Sequence, residues 1–302
     1  MARLEEDGSF TEPVMYAAGF HRPTGILAVG DTLYVSSRGV ITALRDRDGD
    51  LVADEAREIV QGLPFGRIEV AGEIEVHQTH GLVLGPDGKI YVSQGSRHDR
   101  SSGPHPLDGT IFRMDLDGQN IEVFATGFRN PFDLDFNHRG DLFATDNGPH
   151  NDEIYPTAPD EFNWVLEGRN YGYPTIFGTP PPGSDVVSPL LTWFPQIAPS
   201  GGFFYDGGPF PNLTQDDYFL VHFHTWTVLR LRVVFNGETY EVTENEAVVR
   251  GFGGPATDVV QGPDGWIYIA DWAAGKIHRL YYLPAFDVTA PMEVGGASSP
   301  GP

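Results

Sequence analysis

Two histidines, His77 and His80, stand directly before a short apolar strand in the stretch HQTHGLVLGPDGKIYVSQG. An imidazole titrates near neutral pH, so either side chain is suited to take a proton from a substrate hydroxyl group. Gln94 follows the second strand of the same stretch, after a Gly-Pro-Asp-Gly turn that is typical of a hairpin. A lone histidine is more often a hydrogen-bonded structural residue, so a site requires that the fold bring several such side chains together.

The same stretch belongs to a repeat. GPDGKIYVS at 85–93 returns as GPDGWIYIA at 262–270, and weaker copies begin near residues 24, 132 and 201. Each copy has an apolar strand, a turn and a second strand, followed by a third strand and, in all but the last copy, a fourth, with a period of roughly fifty residues. The pattern predicts an all-β fold: a β-propeller of four-stranded antiparallel blades, with five repeats visible.

The last copy lacks a fourth strand of its own. VMYAAGF at 14–20 has the matching pattern, which predicts that an N-terminal strand completes the last blade and closes the ring. We therefore expect a single propeller domain over residues 13–283. Residues 284–302 are interpreted as a C-terminal tail or a linker.

Composition excludes several classes of function. The chain of 302 residues has no cysteine, which rules out disulfides, thiolate metal sites and a cysteine nucleophile. A net charge of −23 would repel a phosphate backbone, so we expect no nucleic-acid partner. The apolar runs are too short to cross a bilayer, so we expect no membrane span.

Propeller geometry predicts where the polar residues lie. The segment before each inner strand and the loop after each second strand share one face, near the central channel. On that face the pattern places His77 with His80, Arg129 with Asn130, Gln94, and the loop from Asp146 to Pro149. We expect these side chains to line one cleft, although polar residues around a wet channel also serve only to satisfy loop backbone groups.

A specific series of motifs identifies a resemblance. The chain resembles the glucose/sorbosone dehydrogenase family of β-propellers, whose soluble members use pyrroloquinoline quinone (PQQ) and Ca²⁺. The resemblance implies six blades, a sugar or alcohol substrate, an external electron acceptor and an extracytoplasmic location. The motifs that carry it are FATGFRNPFDLDF (124–136), TDNGP (145–149), DEFNWVLEGRNYGYP (160–174) and IAPSGGFFY (197–205).

The resemblance also implies residue roles. His77 matches the catalytic base, and Arg129 with Asn130 matches the pair that contacts the quinone or the reacting oxygens; Gln94 is assigned to cofactor binding with them. Gly148 and Pro149 match the carbonyl donors for the catalytic Ca²⁺. Hydride transfer from an alcohol needs such a base, and a guanidinium and a hard cation would stabilise charge on the quinone oxygen.

Departures from the family pattern keep other functions open. The copy expected between the first repeat and the His77 repeat is absent, and Pro255 and Thr257 replace an arginine pair. The family's lysine for the quinone carboxylates falls near His224 or Thr225. One alternative is therefore a non-catalytic module for binding or assembly.

A second alternative is a Ca²⁺-dependent lactonase-like hydrolase. In such an enzyme, an ion held by side-chain oxygens would activate water. The candidate ligands on the cleft face are Asp146, Asn147 and Asp271.

The loop DRDGDLVADE (46–55) predicts a second, structural Ca²⁺ site. Asp46, Asp48 and Asp50 take alternating positions around a glycine turn, and Asp54 follows at position nine, as in loops that wrap Ca²⁺. Position twelve is an arginine, so the bidentate ligand is missing or is supplied by Glu55. The competing interpretation is a polar hairpin turn.

Overall fold

A computed structural model of the protein describes residues 1–3, 5, 10–70, 73–149 and 158–282; for residues 67–70 and 73–76 it describes the backbone alone. The predicted tail, 284–302, lies outside the described residues. These residues form antiparallel sheets with few helical turns, the one helix being the short 3-10 helix Phe223–Thr225. No helix among them is long or apolar enough to span a bilayer.

Four of the sheets have four strands each, and their strands follow chain order across each sheet. Blade 1 contains β1 (Gly25–Val29), β2 (Thr32–Ser37), β3 (Val40–Arg45) and β4 (Glu55–Gln61). A two-stranded hairpin follows, β5 (Gly66–Val70) and β6 (Glu73–His77). Blade 2 contains β7 (Thr79–Leu84), β8 (Ile90–Gln94), β9 (Thr110–Met114) and β10 (Glu122–Thr126).

The remaining blades complete the arrangement. Blade 3 contains β11 (Pro131–Phe136), β12 (Leu142–Asp146), β13 (Asp160–Val165) and β14 (Leu191–Trp193). Blade 4 contains β15 (Pro199–Phe204), β16 (Asp217–His222), β17 (Thr227–Phe235) and β18 (Tyr240–Val249). Blade 5 contains β19 (Ala256–Gln261), β20 (Ile267–Asp271) and β21 (Lys276–Leu280). The all-β propeller predicted from the repeat is confirmed.

The blades pack through apolar faces around a channel. Neighbouring inner strands contact one another in the order β1, β7, β11, β15, β19. Between blades 3 and 4, Phe143, Phe162, Tyr218 and Leu220 are fully buried in one cluster. Burial of each such side chain contributes roughly 1.5–3 kcal/mol, so these inter-blade layers hold the inner strands in place.

The repeated Gly-Pro-Asp-Gly motif has a structural role. In blade 2, the Gly85 amide donates to the Lys89 carbonyl (2.8 Å) and Asp87 accepts from the Lys89 amide (3.1 Å). Gly88 has a φ of +77°, a conformation that a residue with a Cβ rarely adopts. The motif therefore fixes the hairpin between the first two strands and leaves the chemistry to the residues that flank it.

The predicted N-terminal closing strand is wrong. Residues 14–20 form no strand, and blade 5 has three strands among the described residues. Two hydrogen bonds attach this part of the chain to blade 1 instead: the Ala53 amide donates to the Tyr16 carbonyl (2.8 Å), and the Arg38 amide donates to the carbonyl of His21, just after the segment (3.0 Å). These contacts place the end of the segment beside blade 1, the first blade, and not in a strand that pairs with β21.

The missing repeat also has a structural counterpart. Between blades 1 and 2 the chain forms only the hairpin β5–β6, and β1 packs directly against β7. The hairpin ends at His77, immediately before the first strand of blade 2. The chain thus reaches the candidate base through a hairpin in place of a sixth blade.

Candidate functional site

His77 and Asn130 meet at Gly95. A Cβ added to Gly95 would lie 3.0 Å from the His77 Cβ and 2.6 Å from the Asn130 Oδ1. His77 ends β6 and Asn130 immediately precedes β11, so two segments distant in sequence lie against one backbone position. Only glycine leaves room for both, which is the convergence that the propeller pattern predicts.

The orientation of His77 is suited to a base. Its side chain is fully buried, and its Nδ1 lies 2.9 Å from the Ser96 carbonyl oxygen. A carbonyl only accepts hydrogen bonds, so in the neutral ring Nδ1 carries the proton. Nε2 is then the nitrogen that can accept a proton.

Arg129 is buried and bound by oxygen acceptors. Its side chain is 1% exposed, and its Nε and Nη2 donate to Asp99 Oδ1 at 2.9 and 2.6 Å. Its Nη1 donates to the Asn147 carbonyl at 3.0 Å. The sequence pattern did not indicate Asp99 as this counter-ion. The only indication in the sequence was that Asp99 lies shortly after β8, in the polar stretch that follows Gln94.

Two further carboxylates hold the start of β11 and the loop after β12. Both oxygens of Asp146 accept backbone amides, from Arg129 at 3.0 Å and from Asn130 at 2.7 Å. Asp160 accepts amides from Gly148, Ile197 and Ala198 at 2.7–2.9 Å. Burial raises the pKa of Asp146 to about 7, although these amides oppose the shift. The sequence pattern did not predict that Asp146 and Asp160 would bind these backbone amides, which fix the segments before β11 and after β12.

Asn130 is held from the side by His80. The His80 Nε2 lies 3.0 Å from the Asn130 Oδ1, and its ring stacks on Phe132 with centroids 4.7 Å apart. The second histidine of the opening stretch therefore supports Asn130. Phe132 also lines the central channel, so the stacked pair links Asn130 to the channel wall.

Gln94 lies next to Gly95, and its side-chain amide is hydrogen-bonded to other groups of the protein. It is fully buried; its Oε1 accepts from Thr79 Oγ1 (2.7 Å), and its Nε2 donates to the Pro64 and Gly95 carbonyls (2.8 Å each). A ligand could accept a hydrogen bond from Nε2 only by displacing one of those two carbonyls. The geometry gives Gln94 the role of fixing Gly95, and its assignment to a cofactor stays a prediction.

Gly148 and Pro149 present the backbone expected for a cation site. A Cβ on Gly148 would lie 2.1 Å from the Pro159 carbonyl oxygen, so the position requires glycine. The Pro149 carbonyl accepts a hydrogen bond from Gln196 Nε2 at 2.8 Å. Carbonyl oxygens are ligands that Ca²⁺ prefers, and an ion here would share or replace the Gln196 bond.

The loop 46–55 between β3 and β4, called here the rim loop, brings together three of its four predicted ligands. Asp46, Asp48 and Asp50 each offer an oxygen within 4.8 Å of the others. Asp54 instead accepts from the Arg47 amide (2.6 Å). The Glu55 carboxylate, proposed as a substitute ligand, is paired with the Arg47 guanidinium at 3.1 and 2.8 Å.

Among the described residues, no cluster of acidic or histidine side chains on the cleft face could hold the metal ion of a hydrolase. Within the described residues, the rim loop is the one place where three acidic or histidine side chains approach closely enough to hold an ion. Asp271 is bound to His278 Nε2 (2.9 Å) and to the Ala274 amide (2.9 Å), and Asp146 is used by backbone amides. The lactonase-like alternative therefore gains no support from the geometry.

A cavity of about 520 Å³ lies in the central channel. All five inner strands contribute to its lining, together with Phe223 and Trp272 at its mouth. His77, Arg129 and Asn130 are not among the lining residues. The predicted single cleft is thus two features, a buried polar cluster on blades 2 and 3 and an open channel beside it.

Comparisons with known proteins agree with this architecture. Aldose sugar dehydrogenase YliI of Escherichia coli (strain K12) is 25% identical over 228 residues, 66% of this chain and 58% of that protein. Quinoprotein glucose dehydrogenase B of Acinetobacter calcoaceticus is 28% identical over 134 residues, 34% of this chain and 27% of that protein. The matched part of the chain thus spans little more than half of one relative and about a quarter of the other.

A solved structure shows the same fold and extends the match to most of the chain. The holo PQQ domain of pyranose dehydrogenase from Coprinopsis cinerea has a TM-score of 0.71 at 14% identity, over 91% of this chain and 86% of that one. The family model for glucose/sorbosone dehydrogenases matches residues 65–279. This match confirms the resemblance seen in the motifs: the chain belongs to the glucose/sorbosone dehydrogenase family.

Proposed function

We propose that the protein oxidises a sugar or a related alcohol, using PQQ, Ca²⁺ and an external electron acceptor. Family membership and the names of the relatives, an aldose sugar dehydrogenase and a quinoprotein glucose dehydrogenase, support a dehydrogenase role. The observation that carries the proposal is the His77 ring, oriented by Ser96 and placed against Asn130 at Gly95.

The residues of the cluster have separate roles in this proposal. His77 Nε2 takes the proton of the substrate hydroxyl, a contribution typically worth about 10²–10⁴ in rate. Asn130, fixed by His80, orients the reacting oxygen. Arg129 stabilises negative charge that develops on oxygen. PQQ, when bound, would supply the two-electron acceptor.

The chemical types of the described residues are suited to PQQ and Ca²⁺ at two of the expected positions. Arg129 already holds an oxyanion, the Asp99 carboxylate, with two donors, so its guanidinium is suited to a quinone oxygen or carboxylate that replaces Asp99. Gly148 and Pro149 would hold Ca²⁺ through their carbonyl oxygens. Pro255 and Thr257 supply no cation, and each lost charge-assisted bond weakens binding by roughly 1.5–3 kcal/mol.

The same contacts favour a second candidate, a propeller that binds a ligand without catalysis. Arg129 and Gln94 are buried and engaged by the protein itself. In this case the cluster around Gly95 would stabilise the fold, and a ligand would bind elsewhere on the same face.

The test is reconstitution of the purified protein with PQQ and Ca²⁺, followed by dye reduction with a panel of aldoses. We expect turnover that His77→Asn lowers by about 10²–10⁴ and that replacement of the exposed His138 outside the cluster, His138→Asn, leaves intact. Quinone binding is measured separately by equilibrium dialysis. Binding without turnover, or turnover unaffected by His77→Asn, would reject the proposed role of His77.

We also propose that the protein works outside the cytoplasm, on the ground of the resemblance. Fractionation of the source cells with an antibody against the chain tests this. Recovery in the cytoplasmic fraction alone would contradict it.

A further inference from the structure

Three carboxylates lie along one side of the central channel. Asp133 and Asp135 are on β11 and Asp258 is on β19, the inner strands on either side of β15. All three are half-buried and line the channel. The proposed oxidation uses none of these groups, called here the wall carboxylates, so their position needs a separate explanation.

Backbone amides fix the wall carboxylates in place. Asp133 accepts from the Gly202 amide (2.9 Å) and Asp135 from the Phe204 amide (2.7 Å), both on β15. Asp258 accepts from the amide of the next residue on its own strand (2.8 Å). An ionised carboxylate has about four acceptor positions, so each group keeps acceptors for a ligand in the channel.

Glycines of neighbouring strands make room for two of the wall carboxylates. A Cβ on Gly81 would lie 2.3 Å from Asp133 Oδ1, and a Cβ on Gly201 would lie 1.9 Å from Asp258 Oδ1. Contacts this short would displace the carboxylates, so their positions require glycine on the neighbouring strands. The acceptors are therefore held in place before any ligand enters.

A buried hydroxyl group reaches the same wall. Tyr218 on β16 is fully buried, and its hydroxyl group has no hydrogen-bond partner among the described residues. A Cβ on Gly202 would lie 2.7 Å from this oxygen, and the Gly202 amide is the donor to Asp133. Burial and the charges of the wall carboxylates raise the pKa of Tyr218. Because buried polar groups are normally hydrogen-bonded, this hydroxyl group points to a ligand atom beside Gly202.

The charge of the wall selects the class of ligand. Among the described residues that line the channel there is no lysine, arginine or histidine. Desolvation and the Asp258 charge raise the pKa of Asp133, and desolvation raises the pKa of Asp258 to about 6. A cationic ligand would stabilise the ionised form of both groups, and an anionic ligand would be repelled.

The rest of the wall is largely apolar. Leu82 and Val83 line it, as do Ile26, which is 68% exposed, and Val260, which is 45% exposed. The cavity of about 520 Å³ is within the range of roughly 300–1,000 Å³ that is typical of small-molecule sites. A cation with an apolar body would therefore cover surface that a hydrated inorganic ion would leave in contact with water.

A metal ion is the competing occupant. Within the part of the chain that the structure describes, the wall carboxylates are not among the acidic groups that approach one another closely enough for a common ion. A primary ammonium group has different requirements, because it donates three hydrogen bonds in separate directions. Carboxylates on β11 and β19 and a phenol oxygen on β16 are acceptors of that kind.

We propose that the channel wall binds an organic ligand with a primary ammonium group and a small apolar body. The ammonium group donates to Asp133, to Asp258 and to the Tyr218 hydroxyl oxygen. The apolar body lies against Ile26 and Val260. Because this ligand is neither a sugar nor a quinone and needs no metal, the site is independent of the proposed oxidation.

The test uses the protein without added PQQ or metal, in a buffer that contains no amine. Butylammonium chloride is titrated by isothermal calorimetry, with butanol as the neutral counterpart, butyrate as the anionic one and potassium chloride as the inorganic cation. We expect saturable binding of butylammonium alone. Asp258→Asn should weaken this binding by about tenfold through the lost charged acceptor, and Tyr218→Phe by roughly three- to tenfold through the lost hydroxyl oxygen.

Matched variants separate the site from general charge effects. Asp185→Asn removes a negative charge at an exposed position outside the channel and should bind like the wild type. Asp258→Asn keeps an oxygen for the amide that it now accepts, and Tyr218→Phe keeps the buried ring; if the first variant does not unfold cooperatively, the second decides. The proposal fails if butylammonium does not saturate, if potassium chloride or butanol binds equally well, or if the well-folded variants at Asp258 and Tyr218 bind like Asp185→Asn.

Discussion

Glu161 on β13 gives the sharpest prediction about stability. It is 5% exposed; its Oε1 accepts from the Gly178 amide (2.6 Å) and its Oε2 from Asn163 Nδ2 (3.3 Å). Burial, with the Asp146 and Asp160 carboxylates nearby, raises the pKa of Glu161 from 4.5 to about 8. At neutral pH the folded protein therefore keeps this group protonated, while the unfolded chain releases the proton.

The sign of the pH dependence follows from this difference. Because the folded state binds the extra proton, stability is highest below the unfolded pKa of 4.5 and falls as pH rises toward the folded pKa of about 8. Each pH unit in this window costs about 1.4 kcal/mol, so going from about pH 5 to about pH 8 costs on the order of 3 kcal/mol from Glu161 alone.

Replacing Glu161 with glutamine should remove that loss. The amide keeps an oxygen for Gly178, and its Nε2 can donate to Asn163 Oδ1, which has no hydrogen-bond partner among the described residues. We expect Glu161→Gln to unfold at higher denaturant concentration than the wild type at pH 8, with a flatter dependence on pH.

The assay is equilibrium urea unfolding at about pH 5 and pH 8, at constant ionic strength. Glu238→Gln, a change at an exposed position, is the control and should follow the wild type. Another buried carboxylate, Asp146, also has a raised pKa, so a residual slope is expected in every variant. Equal slopes for wild type and Glu161→Gln would refute the reasoning.

Four further substitutions test the site and its support. His77→Asn should lower the rate of sugar oxidation by about 10²–10⁴ in dye assays on protein that still unfolds in a cooperative thermal transition. Arg129→Lys loses the planar fork held by Asp99 and should cost about 1–3 kcal/mol in urea unfolding. Asp48→Asn should abolish any Ca²⁺-induced rise in the thermal midpoint. Gly81→Ala, with a Cβ 2.3 Å from the Asp133 carboxylate on the neighbouring inner strand, should cost about 1–3 kcal/mol by the same urea measurement.

The repeat was enough to predict most of the fold. Alternating apolar residues around the two Gly-Pro-Asp-Gly turns predict β7–β8 and β19–β20, because side-chain period and turn chemistry are local properties. The closing strand at 14–20 was predicted on the same ground and is wrong. A local pattern shows that a segment is suited to a strand, and it does not show which edge, if any, the segment finds.

For the candidate site, the sequence predicted which residues come together but not the partners that hold them. Propeller geometry places His77 and Asn130 together, since both precede inner strands. It does not show that Asp99 binds Arg129, or that the Gln94 side chain donates its hydrogen bonds to backbone carbonyls. Those partners depend on loop conformations and on which buried donors need acceptors, and neither has a periodic signature in the sequence.

The attachment of the N-terminal segment to the rim of blade 1 has a consequence for how the molecule comes apart. In a propeller whose first and last segments pair in one blade, that blade can open only if the pairing between the two ends of the chain is also lost. Among the described residues, β21 ends a three-stranded sheet whose outer residues are partly exposed. Amide protons on β20 and β21 should therefore exchange with solvent faster than those of blades 2 to 4, which makes this sheet the first cooperative unit to open.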